Sequence, residues 1–243
     1  MDTSLLDVST IEFGPPSKLG NTQLMVIPLS TVSGRFDWAT RLSLQFGKDQ
    51  EHMLTTSYGV SQPQQGGDPD RRNLDIIPDE ALTKTLQEVD KKVVEYMSSN
   101  CEELFKTKML LKQHCPILKD KTTEGGGMSL RVKVITPPDA KAMVSTLPGL
   151  APKQSKPTEV RSFNEEKTKV RKVDYTSIGR DAELIVVADT PGVWYNASQF
   201  GVSFTARSIL CKPTVTKNGL GMFNLLPGVV EDDEKFTDGV DDA

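Results

Sequence analysis

Apolar positions in this chain change their spacing several times, and each change predicts an element. From Met128 to Ile135 (MSLRVKVI) every second residue is apolar: Met128, Leu130, Val132 and Val134 fall on one face and Arg131 and Lys133 on the other, as in a half-buried strand. Residues 41–46 (RLSLQF) alternate in the same way, and residues 22–29 (TQLMVIPL) read as a strand interrupted by Pro28, which marks an edge, an end or a bulge. From Phe200 onward, Phe200, Val202, Phe204 and Ala206 share one parity and Gly201, Ser203, Thr205 and Arg207 the other. Elsewhere the period lengthens. Leu82, Leu86, Val89, Val93 and Met97 recur at spacings of four, three, four and four behind Pro78, Asp79 and Glu80, which suit the first turn of an amphipathic helix. Residues 98–100 (SSN) interrupt it before a second helical stretch over 102–112 that carries Leu104, Phe105, Met109 and Leu110. Three segments lack a period. Residues 59–72 are dense in Gly, Pro and Gln, residues 137–157 contain five prolines, and residues 161–172 set five Lys or Arg around one Phe, so each is expected as a flexible loop. The fold class that follows is α+β and mainly β.

A chain of 243 residues, 37% hydrophobic and 26% charged, can close a packed core, and one domain with long loops fits better than two. Its longest apolar runs, such as residues 184–188, are too short to cross a bilayer, and Met1-Asp2-Thr3 lacks the features of a secretion signal. Three cysteines without CxxC spacing fit a reducing compartment. The expectation is an intracellular protein with no membrane partner, in which the sequon at Asn196-Ala197-Ser198 is a chance match. The net charge of −4 is unevenly spread: residues 231–243 carry seven acids (Glu231, Asp232, Asp233, Glu234, Asp238, Asp241, Asp242) against Lys235, a balance of −6, which leaves +2 on the rest. Such a terminus cannot bury enough surface to offset its ordering entropy and is expected to be disordered.

Residues 183–210 (ELIVVADTPGVWYNASQFGVSFTARSIL) open like the switch segment of a nucleotide hydrolase, with an apolar run leading to Asp189-Thr190-Pro191-Gly192. The rest of that machinery is missing. No Gly-rich turn ends in GK[ST], and most strand-like segments follow one another without intervening helices. Pro191-Gly192 instead suits a type II turn, with Gly192 at positive φ, so the segment reads as strand, turn, strand. No nucleophile motif is visible, and His52 and His114 stand alone, which argues against an enzyme, a metal site and any cofactor.

Beyond the turn, Trp194 and Tyr195 are adjacent, so a strand points them to opposite faces and one ring is a candidate for exposure. An exposed ring beside cations on a sheet is what single-stranded nucleic acid requires, since bases stack on the ring and Lys or Arg neutralise phosphates. The candidate nucleic-acid-binding residues are Trp38, Arg41, Arg131, Lys133, Lys169, Arg171, Lys172, Trp194, Tyr195, Phe200 and Arg207.

The order of a strand pair, the helix LTKTLQEVDKKVVEYMSSNCEELFKTK, the strand MSLRVKVITPP and the closing segment GVWYNASQFGVSFTARSILCKP resembles the single-stranded-DNA-binding proteins of nucleocytoplasmic large DNA viruses of algae and their relatives, over residues 20–213. The resemblance implies an OB-like antiparallel β-barrel with one long, broken helix, a role in viral DNA replication, recombination or repair, and neither metal nor catalysis. Trp194, Tyr195, Phe200 and Arg207 match its motif. It divides the chain into an extension (1–20), a DNA-binding domain (21–214) and a linker with the acidic tail (215–243). Single-strand binders of phages and bacteria also end in acidic tails that recruit replication enzymes; residues 231–243 look like that device, although no terminal Phe is present. The expected partners are single-stranded DNA, with RNA as a second candidate, replication proteins through the tail, and a second copy of the chain as a candidate homo-oligomer. The expected location is the host nucleus or a cytoplasmic viral replication site. The rival reading is a structural or assembly protein that uses the same fold to bind other proteins.

Overall fold

The computed structural model describes residues 6–18, 24–36, 41–61, 71–105, 113–121, 127–136, 157–163 and 170–212. In chain order the strands are β1 (Glu12–Phe13), β2 (Ser17–Lys18), β3 (Met25–Ile27), β4 (Leu29–Ser30), β5 (Ser43–Phe46), β6 (Leu54–Val60) and β7 (Arg71–Ile77). Two helices follow, α1 (Glu80–Ser99) and α2 (Cys101–Phe105). Then come β8 (His114–Cys115), β9 (Leu118–Asp120), β10 (Met128–Ile135), β11 (Glu159–Phe163), β12 (Val170–Lys172), β13 (Glu183–Asp189), β14 (Val193–Tyr195), β15 (Phe200–Val202) and β16 (Phe204–Cys211).

Five of these strands close on themselves. β6 pairs with β7, β7 with β10, β10 with β16, β16 with β13, and β13 returns to β6. Counted along the chain the order is first, second, third, fifth, fourth, with the third and fifth parallel and the other pairs antiparallel. That closed five-stranded path defines an OB-like barrel. The first strand is itself in two pieces: β5 pairs with the end of β13 (Phe46 opposite Val186) and β6 with its start (Leu54 opposite Leu184), with residues 47–53 looped out between them. The fifth strand is extended likewise. β16 meets β10 at Phe204 and Thr205, then β11 at residues 208–211. Thr158 joins the two, its hydroxyl donating to the Ala206 carbonyl (2.7 Å) and accepting from the Ile135 amide (3.0 Å).

Alternation explains the interior. Leu130, Val132 and Val134 of β10 point inward with Leu74 and Ile76 of β7 and Phe204 and Ala206 of β16, all buried. Phe204 meets Phe46 edge to face at 5.4 Å. α1 buries the stripe Leu82, Leu86, Val89, Val93 and Met97 in the same apolar cluster, and its first turn is capped by the Asp79 carboxylate, which accepts from the Leu82 amide at 2.7 Å. A second sheet, ordered β2-β3-β14-β15-β8, shares that cluster through Val193, Tyr195 and Phe200.

Several expectations change here. Pro28 does divide its run, ending β3 and separating it from β4. Residues 6–18 contribute to the packing: Leu6 and Ile11 are buried, and Lys92 donates to the Val8 and Ser9 carbonyls at 2.9 and 2.7 Å. The basic excursion is partly a hairpin: β11 pairs antiparallel with β12, and Ser162 and Phe163 are buried as β11 runs beside β16. β6 and β7 reach further into the loop expected over residues 59–72, to Val60 and from Arg71. Gly192 has positive φ (+125°), but the strands on either side of it lie in different sheets, so it turns the chain from barrel to second sheet and does not close a hairpin. Beyond Phe105 the expected second helix lies outside the described residues, as do Trp38, Lys169 and the acidic tail. Leu86→Ala, which empties a fully buried position beneath the barrel, is expected to cost about 2–5 kcal/mol of stability, read by urea denaturation.

Candidate nucleic-acid interface

The outer face of the barrel follows from the same alternation. On β10 it presents Arg131, Lys133 and Ile135, and on β16 Thr205 and Arg207. Lys133 lies opposite Asn73 on one side and Thr205 on the other, and Thr205 lies opposite Asp189, so one row of polar side chains crosses four strands.

Between the fourth and fifth barrel strands the chain makes the β14–β15 hairpin, and this connection leans over the outer face. An open groove of about 250 Å³ runs between them. Lys133, Ile135 and Thr205 form its barrel wall, and Trp194, Pro191 and Val26 the facing one. Trp194 is half-buried, with its ring edge over Gly201 of the paired strand, where an added Cβ would lie 3.1 Å from the ring and 2.7 Å from the Cys115 carbonyl oxygen. Lys133 Nζ reaches the Ser203 hydroxyl at 3.5 Å. A flat ring, an ammonium group and hydroxyls thus line one open channel, which can hold a base against the ring and a phosphate at the lysine.

The remaining candidates are distributed unevenly. Tyr195 points away from Trp194, as adjacency in a strand requires, and is buried (5% exposed); burial also pushes its hydroxyl pKa upward. Phe200 is fully buried beneath the hairpin and packs at 5.0 Å from the His114 ring. These two rings belong to the core and offer no face to a base; Phe200 is a candidate through its match to the closing-segment motif, and both faces of β15 are covered. Arg131 is also committed elsewhere. Its guanidinium donates two hydrogen bonds to Asp75 (2.8 and 2.9 Å), and Lys121 donates a third at 2.9 Å, so the three groups tie β7 to β10 and to the residue after β9. Arg207 stands where the β13 register shifts, on the outer face two residues beyond Thr205, with Asp189 at 3.8 Å and the Ser43 hydroxyl at 3.4 Å. Arg41 is exposed beside the same end of the groove, since the Leu42 carbonyl accepts from the Thr190 amide next to Pro191. Arg171 and Lys172 are exposed on β12, the far strand of the sheet, away from the groove.

One exposed ring escaped the sequence reading. Tyr58 is 72% exposed although it shares parity with the buried Leu54 and Thr56. A bulge turns it outward: the β6–β7 register jumps from Thr56–Ile76 to Val60–Leu74, and Gly59 sits at φ +72° against the Ile178 carbonyl, where a side chain would clash. The Tyr58-Gly59 pair was the available signal. Among the described residues no cluster of His, Cys, Asp or Glu could hold a metal, and no helix is long and apolar enough to cross a membrane.

No family model and no curated protein matches the chain. Among solved structures it is similar to gp2.5, a single-stranded DNA binding protein encoded by bacteriophage T7, at 16% identity and a TM-score of 0.45 over 73% of this chain and 91% of that one. It is also similar to the single-stranded DNA-binding protein of bacteriophage Enc34, at 11% identity and a TM-score of 0.39 over 87% of this chain and 95% of that one, and to the same protein in complex with ssDNA at the same identity and TM-score. At TM-scores below 0.5 these likenesses add nothing to the strand order, which defines the fold by itself.

The Asp75 cluster has a measurable signature. Burial favours the neutral acid, but the hydrogen bonds and charges of Arg131 and Lys121 outweigh it and hold the Asp75 pKa at about 2, below its ordinary 3.8. The stabilisation is therefore present above pH 4 and is lost as pH falls through 2, about 2 kcal/mol in all. Asp75→Asn is expected to be less stable at pH 7 and to lack that part of the acid dependence, read by urea denaturation between pH 7 and pH 2.

Proposed function

We propose that the chain binds single-stranded DNA without catalysis, by stacking a base on Trp194 and neutralising phosphates with Lys133, Arg207 and Arg41. The observation that carries this reading is the groove itself: the one half-exposed tryptophan among the described residues faces a lysine on the outer wall of a closed OB-like barrel. Its position supports the reading as well, because the connection between the fourth and fifth strands of such barrels is a common wall for oligonucleotides. Stacking on a ring tolerates any sequence, because every base has a flat face.

In the finer reading the protein serves viral DNA replication, recombination or repair inside the infected cell, as its resemblance to the large-DNA-virus binders implies. The acidic residues 231–243 compete with DNA for the basic surface and offer themselves to replication proteins. Titration of labelled oligo-dT is expected to show binding that weakens steeply with salt and tightens on removal of residues 231–243. Trp194→Ala is expected to cost about 1–3 kcal/mol of binding at little cost in stability, and Lys133→Gln to flatten the salt dependence. No binding by the intact or the truncated chain would leave the fold as a protein-interaction module.

A further inference from the structure

We infer that Tyr58 and Arg180 form a second stacking site, so that one DNA strand runs from the Trp194 groove across β10 and β7 to the bulge of β6. This rests on the proposal that the groove binds single-stranded DNA and extends it to a definite path and length. Tyr58 is the aromatic among the exposed large apolar side chains of the described residues. The Arg180 guanidinium stands over its ring, 5.8 Å from the centroid, and is itself exposed, with the neighbouring Asp181 carboxylate at 3.5 Å. A largely exposed ring with a cation over it is the pairing that holds a stacked base and its phosphate.

The backbone shows that this exposure is built in. An unbroken strand would turn Tyr58 into the barrel with Leu54 and Thr56. The bulge prevents this, and three features brace it. Gly59 occupies left-handed space, and its amide donates to the Thr56 hydroxyl at 3.2 Å. That hydroxyl in turn donates to the Asp75 carbonyl at 2.8 Å. Asp181, also left-handed at φ +57°, donates its amide to the Thr56 carbonyl at 2.9 Å and so fixes the segment that carries Arg180. Two left-handed residues thus hold one aromatic ring in water, a costly arrangement for a side chain that could have packed.

Register places the two sites on one surface. The bulge residues 57–59 lie opposite Asp75, and Asp75 is two residues along β7 from Asn73, the neighbour of Lys133. Two strand spacings across and two residues along give about 12 Å between Lys133 and the bulge, a span of two or three extended nucleotides. Between them lies Asp75, whose charge Arg131 and Lys121 already neutralise, so the path crosses no bare carboxylate there.

The test is a length series of labelled oligo-dT on the full chain, with tyrosine and arginine variants. An oligomer of roughly two nucleotides fills the groove alone, and one of roughly fifteen reaches both sites. Tyr58→Ala is expected to weaken binding of the longer oligomer about five- to a hundred-fold and leave the shorter unchanged, whereas Tyr58→Phe keeps the ring and the affinity. Arg180→Gln should weaken the longer oligomer less and reduce its salt slope by about one ion. Thermal unfolding of each variant separates lost contact from lost fold. If wild type binds the longer oligomer and Tyr58→Ala binds it equally well, the second site is wrong and the groove stands. If wild type binds neither oligomer, the groove reading fails first. Equal weakening of both oligomers by Tyr58→Ala would also overturn the path, because the ring would then act through the barrel.

Discussion

β16 must be paired along both edges for this molecule to exist. Its buried face carries Phe204, Ala206, Ile209 and Cys211, and its neighbours are β13 on one side and β10 followed by β11 on the other. Closing β13 onto both β16 and β6 removes the open edges of the barrel and turns one face of every barrel strand inward. Once the interior is full, the other face of β7, β10 and β16 is left outside the barrel core. That leftover face supplies the outer wall of the groove.

The hairpin between β13 and β16 turns the outer wall into a site. It leaves the barrel through Gly192, joins a second sheet beside β3, and returns through Ser203. Its two faces have different work. Val193, Tyr195 and Phe200 anchor it in the apolar cluster shared with α1, which fixes the geometry, and Trp194 takes the opposite face, above Gly201 and towards Lys133. A ring held by such a scaffold has little conformational freedom left to lose in any contact it makes. The cation Arg131, two residues from Lys133 on the same face, is held by Asp75 and serves the barrel. Two cations of equal parity on one strand therefore stand in different surroundings, Arg131 across the ladder from Asp75 and Lys133 across from Asn73.

Local order was largely legible in the amino-acid sequence. The helix stripe from Leu82 to Met97, the alternation of β10, the break at Pro28 and the positive φ of Gly192 all follow from spacing and residue chemistry, because each depends on neighbours within a few positions. The opposed faces of Trp194 and Tyr195 were legible for the same reason. Which of the two would be exposed was not, since that depends on β3 and α1, far away in the chain.

Tertiary structure decided the rest. A motif match cannot say what covers a side chain, and Phe200, which shares its parity with the buried Phe204, lies in the core; the hairpin of β11 and β12 forms where spacing shows only a loop. Tyr58 shows the converse, a parity that one glycine bulge reverses. The sequence alone determined the elements, the amphipathic faces and the charge asymmetry, because these arise from covalent neighbours and backbone geometry. The closing of the barrel, the pairing of Arg131 with Asp75 and the meeting of Trp194 with Lys133 needed residues brought together across the fold, and only the folded chain could supply them.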